Sequence, residues 1–181
     1  MSFRLYPGSA PLLVSMPHIG TEIPHDLQEN SELERLKAIH GFAMLWDAHS
    51  IRSQIPWLFD GTLPGLNIGT ASGASADPAI AAAIDQVCVQ AGAVTHVING
   101  RFKGGYITRH YGAPQAGLHA VQLEMCQTLY MAETAPFAFD EHKAAAMRPL
   151  LKAMMQHALA ACAALRSSAT SDAVTQKDAR Q

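Results

Sequence analysis

Short apolar runs that stop abruptly at polar residues, separated by segments of helical spacing, restrict this chain more than any other feature. Leu12-Leu13-Val14-Ser15-Met16 is the first such run, closed by Pro17-His18. An apolar stretch of that length between breakers reads as a buried strand. Ser31 with Glu34 three residues on has capping-box spacing, which predicts a short helix to His40 that Gly41 ends. Phe42 to Trp46 is a second apolar run, again followed by polar residues: Asp47, His49 and Ser50. Residues 53–77 hold four glycines and two prolines and read as a long irregular loop. Asp77-Pro78 supplies an N-cap and a proline at the first helical position; Ile80, Ile84, Val87 and Cys88 then fall on one helical face, and Gly92 closes the helix. Strands are expected over Ala93–Ile98 and His119–Met125, with a short one at Tyr106–Arg109, and a long helix over 141–166. This alternation predicts an α/β protein, a three-layer α/β/α arrangement with a mixed sheet, whose polar residues gather at strand ends where such folds bind ligands. Residues 1–166 form a single domain in this reading, and the small polar residues 167–181 a disordered tail.

Composition narrows the function classes. Of the 181 residues 49% are hydrophobic and 15% charged, with a formal net charge of −2, which argues against disorder and against a nucleic-acid binder working through bulk electrostatics. No apolar run approaches the roughly 20 residues that span a bilayer, so no membrane association is expected. The N-terminal apolar stretch is too short and too interrupted by Pro and Gly for a signal peptide. Three widely spaced cysteines, Cys88, Cys126 and Cys162, suggest reduced thiols and a cytoplasmic location.

Two histidines follow apolar runs: His18 in Ser-Met-Pro-His-Ile-Gly-Thr-Glu and His49 in Leu-Trp-Asp-Ala-His-Ser. Two imidazoles at neighbouring strand ends plus a carboxylate would make the open three-ligand site of a catalytic zinc. Glu22 and Asp47 are the nearby acids, either as third ligand or as the group that orients an imidazole. All four residues also suit an ordinary loop or cap. Glu124, inside the apolar alternation Ala120–Met125, is a candidate base, costly to bury unless it is paired or catalytic; period 2 equally allows it a solvent-facing position, shared with Gln122. Residues 99–112 concentrate Arg101, Lys103, Arg109 and His110 among glycines, with Asn99 and Tyr106. Arginine grips carboxylates bidentately, so the segment points to a small acidic substrate; a plain surface turn is the bland alternative.

At these motifs the sequence resembles the N-formylglutamate deformylase (N-formylglutamate amidohydrolase) family. The strings that carry the likeness are residues 11–24, Leu-Trp-Asp-Ala-His-Ser-Ile-Arg-Ser at 45–53, Leu-Phe-Asp-Gly-Thr-Leu-Pro at 58–64, Asn-Gly-Arg-Phe-Lys-Gly-Gly-Tyr-Ile-Thr-Arg-His-Tyr-Gly at 99–112, and His-Ala-Val-Gln-Leu-Glu at 119–124. The resemblance implies a zinc-carboxypeptidase-like (phosphorylase/hydrolase-like) fold and hydrolysis of N-formyl-L-glutamate to formate and L-glutamate in histidine degradation. It implies a divalent metal, zinc first, with cobalt or manganese as alternatives. Carried over by position, His18 and His49 become metal ligands; the family segment expected to supply an acid has no counterpart here, so Glu22 or Asp47 must replace it, Glu22 being taken as the ligand; Glu124 becomes the general base; and Asn99, Arg101, Lys103, Tyr106, Arg109 and His110 become substrate-side groups. The chain departs from the family where only about twenty residues, Asp26 to Phe42, join the first two motifs. A missing internal segment implies exposed apolar surface and self-association. It also gives a second reading: a non-catalytic family member that binds an acidic amino-acid derivative or a partner subunit.

Overall fold

A computed structural model describes residues 8–16 and 28–178, the side chains of 28–31 and 169–178 excepted. In chain order the elements are β1 (Leu12–Ser15), α1 (Gln28–His40), β2 (Ala43–Ile51), β3 (Leu66–Gly69), α2 (Pro78–Ala91), β4 (His96–Ile98), α3 (Tyr106–Tyr111), β5 (Leu118–Cys126) and α4 (Glu141–Asp178). The strands form one mixed sheet in the order β1-β2-β5-β3-β4. β1, β2 and β5 run parallel; β3 runs antiparallel to β5, and β4 parallel to β3.

Two apolar clusters account for the layers. Met44, Trp46, Val121, Leu123, Leu66 and Ile68 project from one face of the sheet onto Ile80, Ile84, Val87 and Cys88 of α2 and Met147, Met154, Ala158 and Cys162 of α4. The opposite face places Leu13, Ala43, Leu45, Leu118 and Ala120 against Leu33 and Leu36 of α1 and Tyr111 of α3. The result is the three-layer α/β arrangement expected from the alternation. The second cluster covers only the N-terminal halves of β2 and β5, and past Leu45 and Ala120 that face turns polar.

Local signals behave as chemistry dictates at several boundaries. Asp77 caps α2 by accepting a hydrogen bond from the Ala79 amide, and Gly92 ends that helix in the left-handed region. Gly41 closes α1 with a φ of 79°. Other expectations need correction. The stretch read as one long loop contains β3, whose Leu-Asn-Ile-Gly is buried throughout and carries no alternation to betray it. Tyr106–Arg109 is the start of a helix, because Thr108 and Tyr111 share a buried side and Ile107 packs against the α1 cluster, overriding strand propensity. α1 begins at Gln28, ahead of the Ser31 capping box. β2 continues through the polar residues after Trp46 to Ile51. α4 runs to Asp178, well beyond 166, so a helix occupies most of the stretch read as a disordered tail.

Candidate active site

Parallel strands carry paired residues on the same face, and side chains repeat every second position. Asp47 pairs with Gln122 and His49 with Glu124, while across the antiparallel partner Asn67 pairs with Glu124 and Gly69 with Gln122. Asp47, His49, Gln122, Glu124 and Asn67 therefore share the polar part of the α1 side of the sheet, past the α1 cluster, and all but the part-buried His49 are buried. This is the C-terminal end of the parallel strands, where an α/β sheet offers its ligand crevice.

The group is closely coupled. His49 Nε2 lies 2.9 Å from Asp47 Oδ2. Asp47 is 1% exposed, and its other oxygen, Oδ1, is buried with no hydrogen-bond partner among the described residues. The hydrogen bond to Asp47 raises the pKa of His49, against an opposing effect of burial. Glu124 is 7% exposed. Burial pushes its carboxyl up to about 7, with His49 pulling it down and the negative Asp47 pushing it further up. A carboxyl poised there exchanges a proton readily at neutral pH, as a general base needs. Asn67 donates from Nδ2 to the carbonyls of Pro64 and Glu124, fixing the backbone at Glu124.

The wall beside this floor comes from residues 99–105. Gln122 Oε1 accepts the Gly105 amide at 2.6 Å, holding that segment over the sheet. Asn99, with φ 52°, accepts from the Thr70 and Ser72 amides and donates to Thr70 Oγ1. The Ala71 amide donates to the Lys103 carbonyl. A Cβ on Gly69 would stand 2.5 Å from Lys103 C and Gly104 N, so only glycine permits the two loops to interlock.

The structure thus brings together two of the residues singled out in the sequence, His49 and Glu124. Asp47, left between two roles, engages His49 directly. His18 and Glu22 lie outside the described residues. The substrate-side group separates by use. Asn99 is occupied by the 70–72 turn, and Arg109 Nη1 donates to the Gly104 carbonyl. Arg101 sits over the Phe59 ring, 5.3 Å from its centroid, and reaches the Leu58 carbonyl. Tyr106 and His110 stack on each other, exposed on α3, and Lys103 is exposed beside Gly104. Gln122 and Asn67 were not identified as site residues; Gln122 could have been found from its period-2 relation to Glu124, whereas Asn67 sat inside the unrecognised β3.

The sequence model of the N-formylglutamate amidohydrolase family matches residues 30–131. The chain belongs to this family. It is 57% identical over 129 residues to N-formylglutamate deformylase of Pseudomonas aeruginosa and 55% identical over 129 residues to that of Pseudomonas putida. Each match covers 71% of this chain and 48% of the relative, so the chain spans about half the length of these curated relatives. The crystal structure of N-formylglutamate amidohydrolase from Ralstonia eutropha JMP134 superposes with a TM-score of 0.58 at 19% identity, over 75% of this chain and 48% of that one, which shows a shared fold. Among the described residues no helix is long and apolar enough to cross a membrane.

A metal implied by the family resemblance can be tested against the side chains. A ligating imidazole ordinarily has a carboxylate on its other nitrogen, and the buried Asp47 stands in hydrogen-bond contact with His49, so His49 fits as one ligand. Among the described residues no group of three or more His, Cys, Asp or Glu could hold a metal ion. The two further ligands expected from the sequence, His18 and Glu22, lie outside the described residues.

Proposed function

We propose that this chain hydrolyses N-formyl-L-glutamate to formate and L-glutamate, as a cytoplasmic, metal-dependent amidohydrolase of the deformylase type serving histidine degradation. The observation that carries this reading is the buried Glu124, its pKa raised to about 7, beside the Asp47–His49 pair at the C-terminal end of the parallel strands. The names of the curated relatives give the substrate class.

A divalent ion, zinc or else cobalt or manganese, bound by His18, His49 and Glu22 would polarise the formyl carbonyl and acidify a water. The chain's own residues do the rest. Asp47 holds the His49 ring in one orientation. Glu124 takes a proton from the water that attacks the formyl carbon and returns it to the departing amine nitrogen as the C–N bond breaks. Arg101 and Lys103, on the wall above Gln122, offer positive charge to the substrate carboxylates.

Formate release from N-formyl-L-glutamate, measured after chelation and re-addition of Zn²⁺, Co²⁺ or Mn²⁺, is the test. Release restored by metal is expected, and none with any metal rejects the enzyme. The second reading, a non-catalytic binder of an acidic amino-acid derivative or of a partner subunit, draws on the 48% coverage of the relatives. Binding heat without formate release would favour it.

A further inference from the structure

Residues 53–63 form a compact Ω-shaped loop directly after β2, the strand that carries His49. Its neck is closed by the Leu63 amide donating to the Ser53 carbonyl at 2.9 Å and by Gln54 Nε2 donating to Thr62 Oγ1 at 2.7 Å. Glu133 pins that neck, accepting from the Ser53 amide and hydroxyl, each at 2.6 Å. Phe59, within the loop, is buried, with the Arg101 guanidinium over its ring. At the tip the pattern inverts: Trp57 is 84% exposed and Leu58 lies beside it, also exposed. An indole held almost wholly in water forgoes the burial that makes tryptophan costly to leave outside.

The tip is tied to the wall of the site by Arg101, which stacks on Phe59 and donates to the Leu58 carbonyl at 3.4 Å. That bond is long, exposed and made to a neutral acceptor. A carboxylate arriving beside Arg101 would compete for it with shorter, charge-assisted bonds.

We propose that Trp57 is a ligand-contacting residue: the loop over 53–63 folds across the His49–Glu124 site when an N-acyl acidic amino acid is bound, and the indole packs on that ligand. The proposal rests on the substrate class given above. The neck, closed on itself and pinned by Glu133, stays in place while the tip that carries Trp57 swings. The carboxylate that engages Arg101 is the signal that releases the tip.

Fluorescence tests this directly, because the other tryptophan, Trp46, is 3% exposed within the core. Iodide quenching and the emission maximum then report mainly on Trp57. N-formyl-L-glutamate is titrated into the full chain, with and without Zn²⁺, and binding heat is followed in parallel by calorimetry. The expected result is a blue shift with reduced quenching, absent in Trp57→Phe. Trp57→Ala should weaken binding about tenfold with an unchanged unfolding midpoint. Binding heat with unaltered emission and quenching overturns the proposal and leaves the substrate class standing. No heat at saturating ligand overturns the substrate class and the loop closure together. A blue shift that follows protein concentration instead of ligand assigns Trp57 to contacts between copies and overturns the closure.

Discussion

Glu124 shows what one buried carboxyl does to both chemistry and stability. Its pKa stands at about 7 in the fold against an ordinary 4.5. Between those values the folded chain keeps a proton that the unfolded chain has released, so this group's contribution to stability is lost as pH rises through that window. Glu124→Gln removes that loss. In metal-free protein the variant should gain roughly 1–3 kcal/mol over the parent at pH 8 and nothing at pH 4. Urea unfolding at the two pH values checks this, and an equal change at both would remove ionisation as the cause. The same substitution should cut formate release at least a hundredfold while sparing substrate affinity, as expected for loss of a general base. Asp47 makes a different prediction. With Asp47→Asn, His49 loses the partner that raises its pKa, so its imidazole should titrate lower in metal-free protein by NMR. Metal affinity should fall about 10–100-fold. An imidazole that titrates unchanged would show that Asp47 does not hold it.

Elements were legible in the sequence where their signals are local. The Asp77-Pro78 start and Gly92 stop of α2 follow from capping chemistry alone, and β1 from its bounding residues. β3 was not legible, because a strand flanked on both sides within the sheet needs no alternation, and its buried Asn67 finds acceptors for Nδ2 in the carbonyls of Pro64 and the distant Glu124, while Oδ1 has no partner among the described residues. α3 misled for the opposite reason: Tyr106-Ile107-Thr108 favours a strand, and only packing against the α1 layer makes it helical. The site divides similarly. His49 and Glu124 could be picked out by where they fall in apolar runs, but the engagement of Asn99 with the 70–72 turn is invisible without the tertiary contact. That interlock gives a test at this scale. Gly69→Ala would drive a Cβ into the backbone of Lys103 and Gly104. It should cost about 1–3 kcal/mol in urea unfolding and weaken ligand binding by shifting the wall above Gln122. Gly8→Ala, whose Cβ meets nothing within 4 Å, serves as the neutral control. Equal stability of the two variants would mean the loops do not depend on that close approach.

Across the whole molecule, α4 is the longest element and supplies much of one layer, with Met147, Met154, Ala158 and Cys162 buried against the sheet and α2. A chain ended after Ser168 keeps every described core side chain and should unfold at the parent's midpoint. One ended after His157 loses Ala158, Cys162 and their neighbours and should fail to fold cooperatively, as circular dichroism on heating would reveal. A cooperative transition in the shorter chain would show that the layer is dispensable. The sheet itself has a property that bears on assembly: none of its neighbouring strands is joined by a hairpin, and β5 inserts between β2 and β3 only after every other strand has been made. Pairings this remote in sequence form slowly and late. On the ribosome, a partly synthesised chain can hold β2 with His49 in place and still have no opposing carboxyl. The histidine and glutamate thus come together only when β5 enters the sheet, so strand pairing and assembly of the His49–Glu124 pair are one event.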